Sequence, residues 1–261
     1  MPLGEEVKIR IGTVVLSVCT DNNSLSMVIN EGPRCDLDIP NILPSGQKID
    51  VIKGDIFRGK YGKITISNDI KQILACAFYE VDAEEVVWPD TCGYIPFGCF
   101  QNSNIGTISN IDQVVVVGEC AFRGAKIGDI IWPSKCKEMP AQCFSSCHIR
   151  ALYNTEHIVL IGEGAFYKGK IKYFNWPQGC PVIPDYCFQG SDIETLSGIN
   201  NIKTIGYSAF SEAYNLKELD LSSLQIISID ECAFGGLKKS VVSLPYYIMS
   251  DNAEQWFAKI I

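Results

Sequence analysis

Twelve cysteines in a chain of 261 residues are the first candidates for chemistry. Thiols can pair as disulfides, hold metals or act as nucleophiles. Six of them recur in one phrase, WPDTCGYIPFGCF, WPSKCKEMPAQCF and WPQGCPVIPDYCF, which opens at Trp88, Trp132 and Trp176. The spacing within each phrase is C-x6-C, which is not a zinc-knuckle spacing, and no histidine recurs with it, so no metal site is expected. The only histidines are His148 and His157. Cys147 beside His148 is a candidate nucleophile–base pair, but such partners meet in space, and adjacency along the chain is a poor sign of it. The preferred reading of His148 is a solvent-exposed side chain at a bend. Acidic residues are scattered without an EF-hand or D-x-D loop, and no phosphate loop occurs. The chain is read as a non-enzyme with no cofactor.

The elements that carry these residues follow from a repeat. Phe78, Phe100, Phe122, Phe144, Phe166, Phe188 and Phe210 fall 22 residues apart, with Phe57 preceding by 21 and Phe234 following by 24. Self-similarity at such a period marks a stacked repeat. The Trp phrases recur every 44, so two rung types alternate, and about nine rungs are expected. Ile130 and Trp132 alternate around Ile131 as a short strand does. Pro133 ends that strand because it offers no N–H. Cys136, Met139 and Cys143 then follow at the spacing of a helical or 3₁₀ turn, with Pro140 suited to a first helical position. A rung cannot bury its apolar side alone, but a stack of rungs can. The fold class expected is an α/β repeat solenoid with short parallel strands. Trp88, Asn110, Trp132, Asn154, Trp176 and Gly198 share one column, so large and small side chains are expected to interdigitate in the core.

The same columns account for most cysteines. Cys99, Cys143 and Cys187 alternate with alanines, and Cys92, Cys136 and Cys180 with Val or Ile, as small buried hydrophobes do. Same-column thiols stand two rungs apart, about 9–10 Å, beyond the roughly 7 Å a disulfide spans. Bridges within a rung, such as Cys136 to Cys143, remain open, and Cys19 with Cys35 is the first pair to check.

The phrase I-G-x-x-A-F at Ile161–Phe166 and Ile205–Phe210, with VGECAF at Val117–Phe122, resembles the BspA-like, treponemal-type leucine-rich repeat over about Ile49 to Phe234. Doubling to 44 with Trp and Cys, and a final rung with Asp220 in the Trp place, depart from the common pattern. The resemblance implies a right-handed curved leucine-rich-repeat array with strands on its concave side. It further implies a surface or secreted protein of mostly bacterial or protozoan origin that acts in adhesion and protein binding.

Residues 1–48 read as an N-terminal β cap, with a hairpin around TDNNS. Residues 49–240 read as the solenoid and 241–261 as a strand–helix cap, all in one domain. A formal net charge of −8 argues against nucleic acid and anionic membranes as main partners. No apolar run reaches the roughly 18–20 residues of a membrane span. Met1 to Gly12 lacks the pattern of a signal peptide. A chain complete as given would therefore be cytoplasmic, whereas the resemblance implies export.

Outward strand positions include Ile131, Tyr153, Tyr173 and Asn175, with Arg150 and Lys172 at their edge. Tyr and Arg are favoured at interface hot spots. These six residues are the candidate ligand-binding face for a protein partner. A plain strand propensity for β-branched and aromatic residues, or the ordinary exposure of single apolar residues, is the preferred account of them. Alternatives to an extracellular adhesion module are an intracellular interaction protein, such as an effector or immunity-type inhibitor, and a glycan-binding surface.

Overall fold

The computed structural model describes residues 6–248 and 253–258. The chain divides into two compact units, Met1–Lys135 and Cys136–Ile261. Both are built from stacked turns of parallel β-solenoid at the 22-residue spacing, about ten turns along the chain against the nine expected.

In the first unit the strands Cys35–Ile39, Lys60–Ile66, Asp82–Val87, Asn104–Ser109 and Lys126–Ile131 lie side by side, all parallel. The register shifts once, between Cys35 and Leu37, and is even from Lys60–Ile66 onward, with Asp82 opposite Asn104 and Asn104 opposite Lys126. Ahead of them, Glu6–Ile11, Val14–Cys19 and Ser24–Asn30 form an antiparallel meander. The sequence suggested one long strand before the TDNNS turn. Gly12, at φ +60°, instead folds it into two, because that backbone region costs glycine nothing. Ser24–Asn30 then pairs in parallel with Val51–Ile52 and Phe57–Arg58, which covers the edge of the first rung.

The phenylalanine column forms the spine of both units. Ring centroids lie 4.6, 5.2 and 5.6 Å apart from Phe57 through Phe78 and Phe100 to Phe122. In the second unit the spacings from Phe144 to Phe234 are 5.8, 5.3, 5.5 and 6.0 Å. All these rings are buried.

The expected helical or 3₁₀ turn forms only in part: Cys143, Ser145 and Cys147 each donate three residues back, to Pro140, Gln142 and Phe144 O at 3.3, 3.1 and 3.1 Å, but these single turns do not join into a helix. Met139 belongs to a two-residue strand, Glu138–Met139, paired with Leu160–Ile161. Among the described residues the only α-helix is Ala253–Phe257. The turn around each Phe contains two left-handed residues, two before and two after the ring: Cys76 and Glu80, Gln142 and Ser146, Tyr186 and Gly190. A left-handed residue every fourth position breaks a helix. The freed N–H groups instead bond between rungs. Cys76, Phe78 and Glu80 donate to the carbonyls of Phe97, Cys99 and Gln101 at 2.8–3.0 Å. On the last rung Cys232 and Phe234 donate to Gln255 and Trp256 of the short helix, which closes the ladder that would otherwise end in orphan donors.

The Trp column also differs from expectation. Trp88 and Trp176 are buried, and their indole N–H groups bond to Cys92 O and Cys180 O at 3.1 and 2.8 Å. Asn110 does not interdigitate with them. It is exposed at φ +61°, and its amide donates outward to Trp88 O and Asp90 at 2.7 Å. Asn154 and Gly198 share the left-handed backbone, so the column alternates core with turn.

All twelve cysteines are free thiols. Those of the two alternating columns are buried, as expected. Burial pushes the Cys180 thiol up to about 11 and holds Cys99 and Cys187 well above the usual thiol range. A Cys19–Cys35 bridge does not fit this fold. Cys35 Sγ lies 3.7 Å from Thr13 Oγ1, while Cys19 ends the strand that begins at Val14, about 17 Å away by strand rise. A maleimide or disulfide reagent added to the native protein is expected to modify the half-exposed Cys19, Cys35, Cys76 and Cys232 first. The eight buried thiols should react only on unfolding, and fewer than twelve thiols after denaturation without reductant would refute this assignment.

Candidate functional site

The outward strand positions differ between the two units. In the first unit they are largely polar or half-buried, as Glu85, Thr107, Ser109 and Asp129 are. Ile131 stands on this unit and is 58% exposed. The second unit carries Tyr153 and Tyr173, at 53% and 65% exposure.

These tyrosines flank a break in the ladder. His148–Tyr153 and Tyr173–Asn175 occupy successive rungs, yet they meet only in a single parallel bridge, His148 to Lys170. Beyond it the ladder stops, and Tyr173–Asn175 pairs only onward, with Thr195–Ser197. A cleft of about 480 Å3 opens there, within the size range of ligand sites. Arg150, Tyr153, Lys172 and Tyr173 line it together with His148, Lys170, Leu152 and Asp192. Four of the six residues singled out from sequence thus share one cleft. Asn175 lies beside it, accepting a bond from Ser197 Oγ at 3.0 Å.

The cleft is cationic in a chain that is acidic overall. Lys172 pairs with Glu194 at 3.0 Å, and Lys217 reaches the same carboxylate at 2.7 Å. The hydrogen bonds from the two lysines hold the Glu194 carboxyl below its usual range, and Glu194 in turn raises both amines. Lys170 makes no ion pair among the described residues. His148 begins a strand instead of marking a bend, and it is exposed as expected. Cys147 is 1% exposed in a column of small buried residues, and burial pushes its thiol far up. A thiol held protonated inside the core does not serve as a nucleophile. His157 is held by Cys136 O, 3.2 Å from its Nε2. Lys170, Leu152 and Asp192 were missed in the sequence, where they look like ordinary surface or core residues, and His148 was weighed there only as a partner of Cys147.

A second, apolar groove of about 700 Å3 runs in the first unit along Cys35–Ile39, lined by Ile11, Leu37, Ile42 and Leu43. Asp36 and Asp38 on that strand are charges of the kind that guard an open sheet edge.

Stacked 22-residue rungs with an aromatic spine define a leucine-rich-repeat solenoid, a scaffold class whose surface binds and whose core only supports. The chain belongs to the BspA-type leucine-rich-repeat family, whose model matches residues 41–150 and 159–252 in six copies. No curated protein matches it. Among solved structures it is similar to the pneumococcal vaccine antigen PcpA, at 16% identity and a TM-score of 0.50, covering 94% of this chain and 83% of that one. A leucine-rich-repeat protein from Bacteroides ovatus aligns at 14% identity and a TM-score of 0.34, covering 94% and 88%. One from Eubacterium ventriosum aligns at 13% and 0.34, covering 95% and 99%. Among the described residues no helix is long and apolar enough to cross a membrane.

Proposed function

We propose that the chain is a non-enzymatic binding module that presents its outward strand positions to a protein partner. The observation that carries this reading is the break in the ladder between successive rungs, flanked by Tyr153 and Tyr173 and edged by Arg150 and Lys172. Other strand edges are open too, at Cys35–Ile39 and between Thr195–Ser197 and Leu219–Asp220. At the break between His148–Tyr153 and Tyr173–Asn175, two strand edges, two tyrosine rings and several cations converge. Asn175 extends the same set of outward positions, and Ile131 is an exposed outward position of the first unit. In this reading residues 1–48 and 241–261 cap the array. Display outside the cell fits the family and the antigen to which the fold is similar.

Panning a random dodecapeptide phage library on the whole chain tests the reading. Selected binders are expected to lose about tenfold or more in affinity with Tyr153→Ala or Tyr173→Ala, the scale of an interface hot spot. Binders indifferent to both substitutions would overturn it. A glycan array on the same variants separates a carbohydrate ligand from a peptide one.

A further inference from the structure

We propose that the cleft between His148–Tyr153 and Tyr173–Asn175 receives an acidic, extended peptide segment, and that Phe174 holds the cleft open. This rests on the protein-binding reading above and names the chemistry of the partner.

The charge argument comes first. Lys170 and Lys172 line the cleft beside Arg150 and His148, and Asp192 is the one carboxylate in the lining. Asp192 already accepts a bond from Asn215 at 3.3 Å, and Lys172 is engaged by Glu194. On a chain of net charge −8, general attraction between the protein and an acidic peptide is ruled out, so acidic binding must come from local placement.

The shape argument favours a peptide over a sugar or an isolated anion. Where the ladder stops, the facing edges of two strands border the cleft. A strand edge offers N–H and C=O groups at the repeat of an extended chain, the basis of strand addition. Tyr153 and Tyr173 then supply flat, rigid faces for the side chains beside the acidic ones.

Phe174 marks the break at this rung, whereas the stop between Thr195–Ser197 and Leu219–Asp220 coincides with the two extra residues of the final rung. Its column reads Val86, Ile108, Ile130, Leu152 and Leu196 in the other rungs. Phe174 is the one ring in it, packed 4.8 Å from Phe166, 5.9 Å from Trp176 and 6.3 Å from Phe188. An oversized side chain in a filled core moves backbone. On the neighbouring rung Leu152 is half-exposed, whereas Val86, Ile108, Ile130 and Leu196 are buried.

Fluorescence anisotropy on the whole chain tests both parts, with two labelled dodecapeptides, one alternating Glu and Thr, the other Gln and Thr. The Glu peptide should bind at least tenfold tighter than the Gln peptide, and lose that margin with Lys170→Glu, an exposed site at which stability should hold. Phe174→Leu should weaken binding and slow amide exchange at residues 150–153 and 172–174 as the ladder closes. Equal binding of the two peptides, or preference for a sulfated heparin hexasaccharide, overturns the acidic-peptide inference. If panned binders still need both tyrosines, the protein-binding reading survives that result. Unchanged exchange and affinity in Phe174→Leu overturn the role of Phe174.

Discussion

Phe188→Ala should melt the second unit on the order of 10–15 °C below the parent chain. The ring is fully buried and stacks at 5.3 Å on Phe166 and 5.5 Å on Phe210, with Trp176 at 6.0 Å. Truncating a buried Phe to Ala costs about 3–5 kcal/mol, through lost transfer energy and the cavity left behind. In a solenoid each rung is held only by its two neighbours, so the loss falls on both interfaces at once. Tyr214→Ala, at a site 61% exposed, should stay within about 0.5 kcal/mol of the parent. Thermal unfolding followed by circular dichroism reads both. A Phe188→Ala protein as stable as the Tyr214→Ala protein would mean that the phenylalanine column is not the spine.

Adding one methyl group at Gly162 should do nearly as much harm. A Cβ there would lie 2.4 Å from Ala141 N and 2.8 Å from Pro140 C. Both are backbone atoms of the rung below, so no side chain can rotate out of the way. Overpacking of this kind costs about 1–3 kcal/mol. Gly118 and Gly206 face Pro96–Phe97 and Pro184–Asp185 in the same manner. Pro140→Ala should not rescue Gly162→Ala, because the collision is with main chain. Gly12→Ala has open space around its Cβ and strains only its own positive φ, and it should be milder. Urea unfolding of the three variants orders them, and a neutral Gly162→Ala would refute the close approach.

Much of this architecture was legible before any coordinates. The phenylalanine period, the cysteine columns and the outward tyrosines follow from counting, because a stacked repeat forces equal environments onto equal positions. The turn was misjudged for a physical reason. Cys136, Met139 and Cys143 follow a three-residue rhythm, and left-handed residues are only weakly marked when Cys76, Gln142 and Tyr186 occupy the same place as Gly98 and Gly164. The Asn column was assigned to the core because alternation in size looks like interdigitation, whereas its cause was backbone conformation. At the candidate site the tyrosines and cations could be named from alternation alone. The cleft between them could not, since it depends on a strand pairing that stops after a single bridge. The one available hint was Phe174 in a column otherwise filled by Val, Ile and Leu.

The proline-on-glycine fit between successive rungs also constrains how such a gene can change length. Gain or loss of a single rung would place proline over proline, or leave two glycines facing each other without need. Gain or loss of two rungs restores every contact. Recombination among these repeats should therefore be tolerated in even steps, and copy number in this lineage should drift by pairs, with the tryptophan phrase as the unit of inheritance.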